Sequence, residues 1–156
     1  MWYAILGAVL LAGDQILKYW VVTHLAVGES APFLPGFMQL TRLHNYGAAW
    51  SSFSGRTVLL VVFTAVLLAV VALLLLKKVV RHWTGVTACT LILSGGIGNI
   101  IDRIVHGYVV DMFDLQLFSY PVFNLADCCV VVGAILGVIY YLFLYEKYDK
   151  KKKESD

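Results

Sequence analysis

Four stretches of the chain stay apolar long enough to cross a hydrocarbon layer, and three of them are interrupted by polar residues at helical intervals. They run approximately from Trp2 to His24, Thr57 to Leu76, Val86 to Val105 and Cys128 to Tyr145. A bilayer core about 30 Å thick takes roughly 20 helical residues at about 1.5 Å each, so each stretch predicts one transmembrane helix. The second, TVLLVVFTAVLLAVVALLLL, is aliphatic throughout and carries no chemistry. The expected fold is an all-α integral membrane protein in which residues 1–145 form one domain. An outer cap covers about 25–56, and a basic tail, expected to be disordered in water, covers 146–156.

The charges orient the bundle. Eight of the twelve basic residues (Lys77, Lys78, Arg81, Lys147 and Lys150 to Lys153) fall between spans two and three or after span four. By the positive-inside rule that side is cytoplasmic, which places both termini inside and residues 25–56 and 106–127 outside. Met1, Trp2 and Tyr3 supply no positive segment, and no small-residue cleavage site follows, so the first span reads as a retained helix.

Composition agrees with lipid as the solvent: 60% of residues are hydrophobic, 14% are charged, and the mean hydropathy is +0.80. A net charge of +2, with the cations in two short clusters, excludes a nucleic-acid surface. Cys89, Cys128 and Cys129 lack zinc spacing and a disulfide framework, and read as small buried apolar residues. His24, His44, His82 and His106 have no partners at metal spacing.

The polar residues inside the spans carry more information. Asp14 and Lys18 stand four apart on one helix face, acid before base. Asn99 and Arg103 share a face near the outer end of span three, after Gly95, Gly96 and Gly98, whose missing side chains admit a close neighbour. Asp111 and Asp127 follow at the outer surface, one in the loop after span three and one at the head of span four. Intramembrane ionisable groups are costly and mark function by default, yet a packing role for Asp14 with Lys18 and helix-end anchoring for Asp102 and Arg103 stand beside it. Asp114 and Glu29 read as solvated loop carboxylates, and Asn45 and Asn124 as turn or cap residues.

No serine or cysteine nucleophile and no phosphate loop accompanies these residues, so carboxylate chemistry is what remains. Two aspartates in hydrogen-bond reach share one proton; the ionised member activates water while its partner polarises a carbonyl. A rival reading has Asp102, Asp111 and Asp114 chelating Mg²⁺ for chemistry on a lipid headgroup. A non-enzymatic one makes Asp14 and Lys18 the polar seam of a channel or assembly factor.

Five blocks resolve the choice: DQILK at Asp14–Lys18, NYGAAW at Asn45–Trp50, GGIGNIIDR at Gly95–Arg103, GYVVDMF at Gly107–Phe113 and FNLAD at Phe123–Asp127. In this order and spacing the chain resembles the lipoprotein signal peptidase (signal peptidase II) family over essentially its whole length. The resemblance implies an aspartic endopeptidase of the bacterial plasma membrane. It would cleave prolipoprotein signal peptides just before a diacylglyceryl-modified cysteine, with no metal and no organic cofactor. It makes Asp111 and Asp127 the catalytic dyad, and Asp14, Lys18, Asn45, Gly47, Asn99, Arg103 and Asn124 residues that position substrate or support the dyad. Gly47 and Ala48 would lie in the cap beside the site. It also implies that the cap is a small β-rich cradle with a short amphipathic helix; FMQLTRL at Phe37–Leu43 fits a strand, with imperfect alternation. A monomer is expected, since four spans enclose one site.

Overall fold

The computed structural model describes residues 1–47 and 55–150. Four helices, α1 (Trp2–His24), α2 (Thr57–Leu76), α3 (Trp83–His106) and α4 (Leu125–Phe143), are each long and apolar enough to span a membrane. Three strands, β1 (Ser30–Leu34), β2 (Met38–Asn45) and β3 (Val109–Leu115), form an antiparallel sheet in that order. Ala48 and Trp50 fall outside the described residues, and no amphipathic helix of the cap occurs among the described ones.

Helix α3 is the hub, packed against α1, α2 and α4. Half of its most apolar window is buried, against 6% for α2, as expected when one helix touches three neighbours and the other faces lipid. Its glycines make the contacts possible. A methyl group on Gly95 would collide with the Ala126 carbonyl oxygen of α4, one on Gly96 would come within 2.6 Å of Leu68 of α2, and one on Gly98 within 2.8 Å of an Asp14 carboxylate oxygen of α1. Three helices thus reach the backbone of α3 within one turn of each other, at the depth where the buried polar residues stand.

The chain turns into the sheet at Gly107, the C-cap of α3, whose φ of 82° is left-handed and whose N–H donates to the Arg103 carbonyl at 3.1 Å. Asp111 therefore stands on a strand rather than in the loop expected from the sequence. Asn45 opposes Val109 and Leu43 opposes Asp111 across β2 and β3. One sheet face packs Val110 and Met112 onto Val21 and Leu25 at the end of α1. The Arg42 guanidinium fixes that junction, donating to the Val22 and Leu25 carbonyls at 3.0 and 2.9 Å, which are orphan acceptors at a negatively polarised helix end.

Two expectations about carboxylates and the tail change here. Asp114 is a half-buried strand residue that accepts from Gln39 and Thr41 at 2.7 and 3.2 Å, not a solvated loop residue. The tail is ordered at its start: Glu146–Lys150 forms one π-helical turn, and the buried Asp149 side chain accepts from the backbone of Arg81 and His82 and from the Tyr140 hydroxyl.

Candidate active site

The site is assembled around Asn124. Its side-chain oxygen accepts from the Asp127 N–H at 2.8 Å, and an Asp127 oxygen accepts from the Asn124 N–H at 3.3 Å, a reciprocal capping box that starts α4. The amide's other end points across the gap and donates to Asp111 at 2.6 Å. One asparagine, completely buried, therefore terminates a helix and couples the two carboxylates that the sequence singled out. Span four consequently begins at Leu125, ahead of the Cys128 suggested by hydropathy, with Asp127 in its first turn.

Each carboxylate has a further amide. Asn45, at the end of β2, donates to Asp111 at 2.9 Å, and Asn99 of α3 donates to Asp127 at 2.8 Å. Asn45 is itself oriented by the Gly47 N–H at 2.9 Å, and the Gly47 carbonyl accepts from Arg103 at 2.8 Å. Arg103 thus spends one arm of its guanidinium on the cap backbone, and its other terminal nitrogen bonds the Asn99 carbonyl at 3.3 Å. Asn45, Asn99, Arg103, Asp111 and Asp127 all line one cavity of about 240 Å³, closed on another side by the Tyr120–Phe123 segment and Val130 and Val131.

Burial, then the adjacent Asp127 charge, pushes the Asp111 carboxyl up to about 7, against the opposing pull of the Asn45 and Asn124 amides and the Lys18 charge. A carboxyl poised there is half protonated at neutral pH, as a dyad that shares one proton requires.

Beneath the cavity lies a buried ion cluster. Lys18 sits 2.9 Å from an oxygen of Asp14 and 2.9 Å from one of Asp102. Asp14 also accepts from the Ala126 N–H at 2.9 Å, Asp102 from the Val110 N–H at 3.0 Å, and Gln15 donates to both acids at 3.2 and 3.1 Å. Seven of the nine residues of the sequence-based assignment belong to this cluster or line the cavity above it, and the other two, Gly47 and Asn124, are bonded to residues that line it. Asp102 and Gln15 complete the cluster and were not assigned to it. The only sequence signal for Asp102 was an acid at membrane depth, since its partner Lys18 is 84 positions away. The chelating trio does not form: Asp114 stands three residues from Asp111 on β3 and so on the other face, while Asp102 is committed to Lys18 and Val110.

A polytopic bundle with a carboxylate pair held by amides at its surface end defines a membrane-embedded aspartic peptidase. The sequence profile of the Signal peptidase (SPase) II family matches residues 6–143, and the chain belongs to that family. It is 40% identical over 153 residues to the lipoprotein signal peptidase of Enterococcus faecalis, covering 98% of this chain and 94% of that protein. The lipoprotein signal peptidase of Lactococcus lactis subsp. lactis is 39% identical over 143 residues, covering 92% and 91%. Among solved structures, a bacterial membrane enzyme determined by the in meso method at 2.3 Å superposes with a TM-score of 0.85 at 32% identity, over 90% of this chain and 87% of that one. A second, determined at 1.9 Å, gives 0.83 at 31% identity, over 91% and 93%.

Proposed function

We propose that the chain is a lipoprotein signal peptidase in which Asp111 and Asp127 form the catalytic dyad. It removes the signal peptide from diacylglyceryl-modified prolipoproteins just before the lipidated cysteine. The observation that carries the assignment is the Asn124 side chain, bonded to Asp111 at 2.6 Å and to the Asp127 N–H at 2.8 Å beside one cavity. Asp111 carries the shared proton and donates it toward the scissile carbonyl oxygen. Asp127 takes a proton from the attacking water, whose oxygen adds to the carbonyl carbon. The tetrahedral intermediate then collapses: Asp127 gives the proton it took from water to the peptide nitrogen, Asp111 takes its own proton back from the former carbonyl oxygen, and the C–N bond breaks. Asn45, Asn99 and Asn124 hold the two acids in register, Arg103 and Gly47 fix the cap against α3, and Asp14 and Lys18 support the dyad from below.

The basic Lys77–Arg81 turn and the tail lie on the cytoplasmic side, so the dyad is at the outer surface, and one chain is the active unit. A lipidated cysteine sits at headgroup depth there, with its acyl chains in the leaflet and its signal helix descending beside the enzyme. Cleavage of a diacylglyceryl-modified prolipoprotein, followed by gel mobility with and without chelator, tests the assignment. Wild type should cut in both conditions, while Asp111→Asn and Asp127→Asn should be inactive though folded. Cleavage by either variant, or dependence on metal, overturns the dyad.

A further inference from the structure

A second cavity, of about 530 Å³, lies away from the dyad between α1, α2 and α3. Helix α1 lines it with Tyr3, Ala4 and Ala8 and α3 with Val86 and Ile97, while Leu75, near the end of α2, and Val80, just beyond it, complete the lining. It exists because α1 and α2 both pack on α3, and small α1 residues leave the space between them unfilled. Two of the three hydroxyls on its wall are already used: Thr90 donates to the Val86 carbonyl at 2.8 Å and Ser94 to the Leu91 carbonyl at 3.0 Å; the third is the Tyr3 phenol, near the start of α1. Deeper than that phenol the wall offers an occupant mainly apolar contact.

The lining of α3 runs from Val86 to Ile97, about 16 Å along the helix axis and so close to half of a hydrocarbon core about 30 Å thick. The cavity has the depth of one leaflet. At its surface end, between Leu75 and Val80 in the chain, Lys77 and Lys78 are exposed. The turn presenting them is closed on itself, with the Lys77, Lys78 and Val79 N–H groups bonded to the Leu73, Leu75 and Leu74 carbonyls at 2.9, 3.0 and 2.9 Å. Lys78 adopts a φ of 53°.

We propose that this groove binds an anionic phospholipid of the cytoplasmic leaflet, one acyl chain lying between α1 and α2 against α3 and the phosphate meeting Lys77 and Lys78. Charge complementarity selects this occupant. A signal-peptide helix in the same groove would bring its own positive N-terminal region to the same membrane side, against two lysines. An anionic headgroup gains from both of them.

The test uses the full chain reconstituted in phosphatidylcholine, alone or mixed with phosphatidylglycerol, with retained lipid counted by native mass spectrometry and the thermal midpoint recorded. Wild type should keep one phosphatidylglycerol and melt higher in the mixture. The pair Lys77→Gln with Lys78→Asn, the asparagine chosen for its tolerance of left-handed φ, should weaken that retention roughly thirtyfold and leave cleavage unchanged. Ala8→Phe should fill the groove and abolish retention; if it fails to fold, the lysine pair decides alone. Equal retention of phosphatidylcholine, unchanged retention in the lysine pair, or displacement of the lipid by a signal-peptide copy or a second chain overturns the proposal.

Discussion

Lys18 donates to the Asn99 side-chain oxygen at 3.0 Å, and this bond joins the buried ion cluster to the dyad. Asn99 can then aim its amide only at Asp127, 2.8 Å away. The lysine is 3% exposed and lies between Asp14 and Asp102, each 1% exposed, so it is the cluster's only cation. Truncating it strands two carboxylates in a dry interior, which is the expensive way to break a buried pair.

Lys18→Met should therefore destabilise the protein by about 3–5 kcal/mol and lower cleavage further by releasing Asn99. Asp14→Asn should cost less, because Lys18 keeps Asp102 and the asparagine oxygen still accepts from the Ala126 N–H. Thermal midpoints of the purified variants in detergent check the order. A Lys18→Met midpoint equal to wild type would show that the cluster is hydrated or dispensable.

Cleavage should decline on the alkaline side with a midpoint near pH 7, where Asp111 loses the shared proton. Asn45 favours the ionised form of Asp111 through its 2.9 Å amide bond. Asn45→Ala should thus move the alkaline limb to higher pH, by about one unit, while lowering the maximum rate. Stability follows the same proton. Folding raises this carboxyl above its unfolded value of about 4, so its stabilising effect is full below that pH and is lost as pH climbs through about 7. In Asp111→Asn that slope should disappear, and its midpoint should gain on wild type between those limits. A pH–rate profile and melting curves at matched pH measure both effects.

The membrane helices were legible because lipid imposes a long, one-dimensional signal. The expected Trp2–His24 and Thr57–Leu76 spans coincide with α1 and α2. Spans three and four begin three residues before the expected starts, at Trp83 and Leu125, because polar cap residues begin both helices and hydropathy passes over them. The N-x-x-D pattern of Asn124 and Asp127 could have marked the second start. Strand β3 carries no strand pattern in the sequence. Its first four residues, Val109 to Met112, are all buried, so no alternation appears, and its partner β2 lies more than 60 positions earlier. Of the site, the Asp14–Lys18 spacing and the five blocks were visible. The salt bridge from Lys18 to Asp102 and the double use of Asn124 were not, because they depend on which helices pack together.

Gly95→Ala tests whether the approach of α4 to α3 sets the dyad. The added methyl would press on the Ala126 carbonyl and lie 3.0 Å from Val130, and the obstructing group is backbone that cannot rotate away. It adjoins Asp127, so relief moves the Asp127 carboxylate away from Asn99. Activity should fall at least tenfold, with a stability loss of about 1–3 kcal/mol. Gly137→Ala, at the same helix pair but 3.9 Å from the Ala88 methyl, should be active and no less stable. Equal behaviour of the two alanines would remove the packing argument.

Asp149 closes the opposite end of the molecule, and its loss should separate stability from catalysis. Burial works to raise its carboxyl, but the Tyr140 hydroxyl and the Arg81 and His82 N–H groups outweigh that and hold it below the usual range. A depressed carboxyl stabilises the fold above its unfolded value of about 4, and that contribution is lost as pH falls below it. Asp149→Ala leaves the two N–H groups and the buried Tyr140 hydroxyl without this acceptor, at a cost of about 1–3 kcal/mol. Protease should then reach the tail faster at neutral pH, and the difference from wild type should close in acid. Cleavage of substrate should not change, because the dyad sits at the other end of α4, some 13 residues from Tyr140. A parallel loss of peptidase activity would mean that the tail contact acts on the active site through α4.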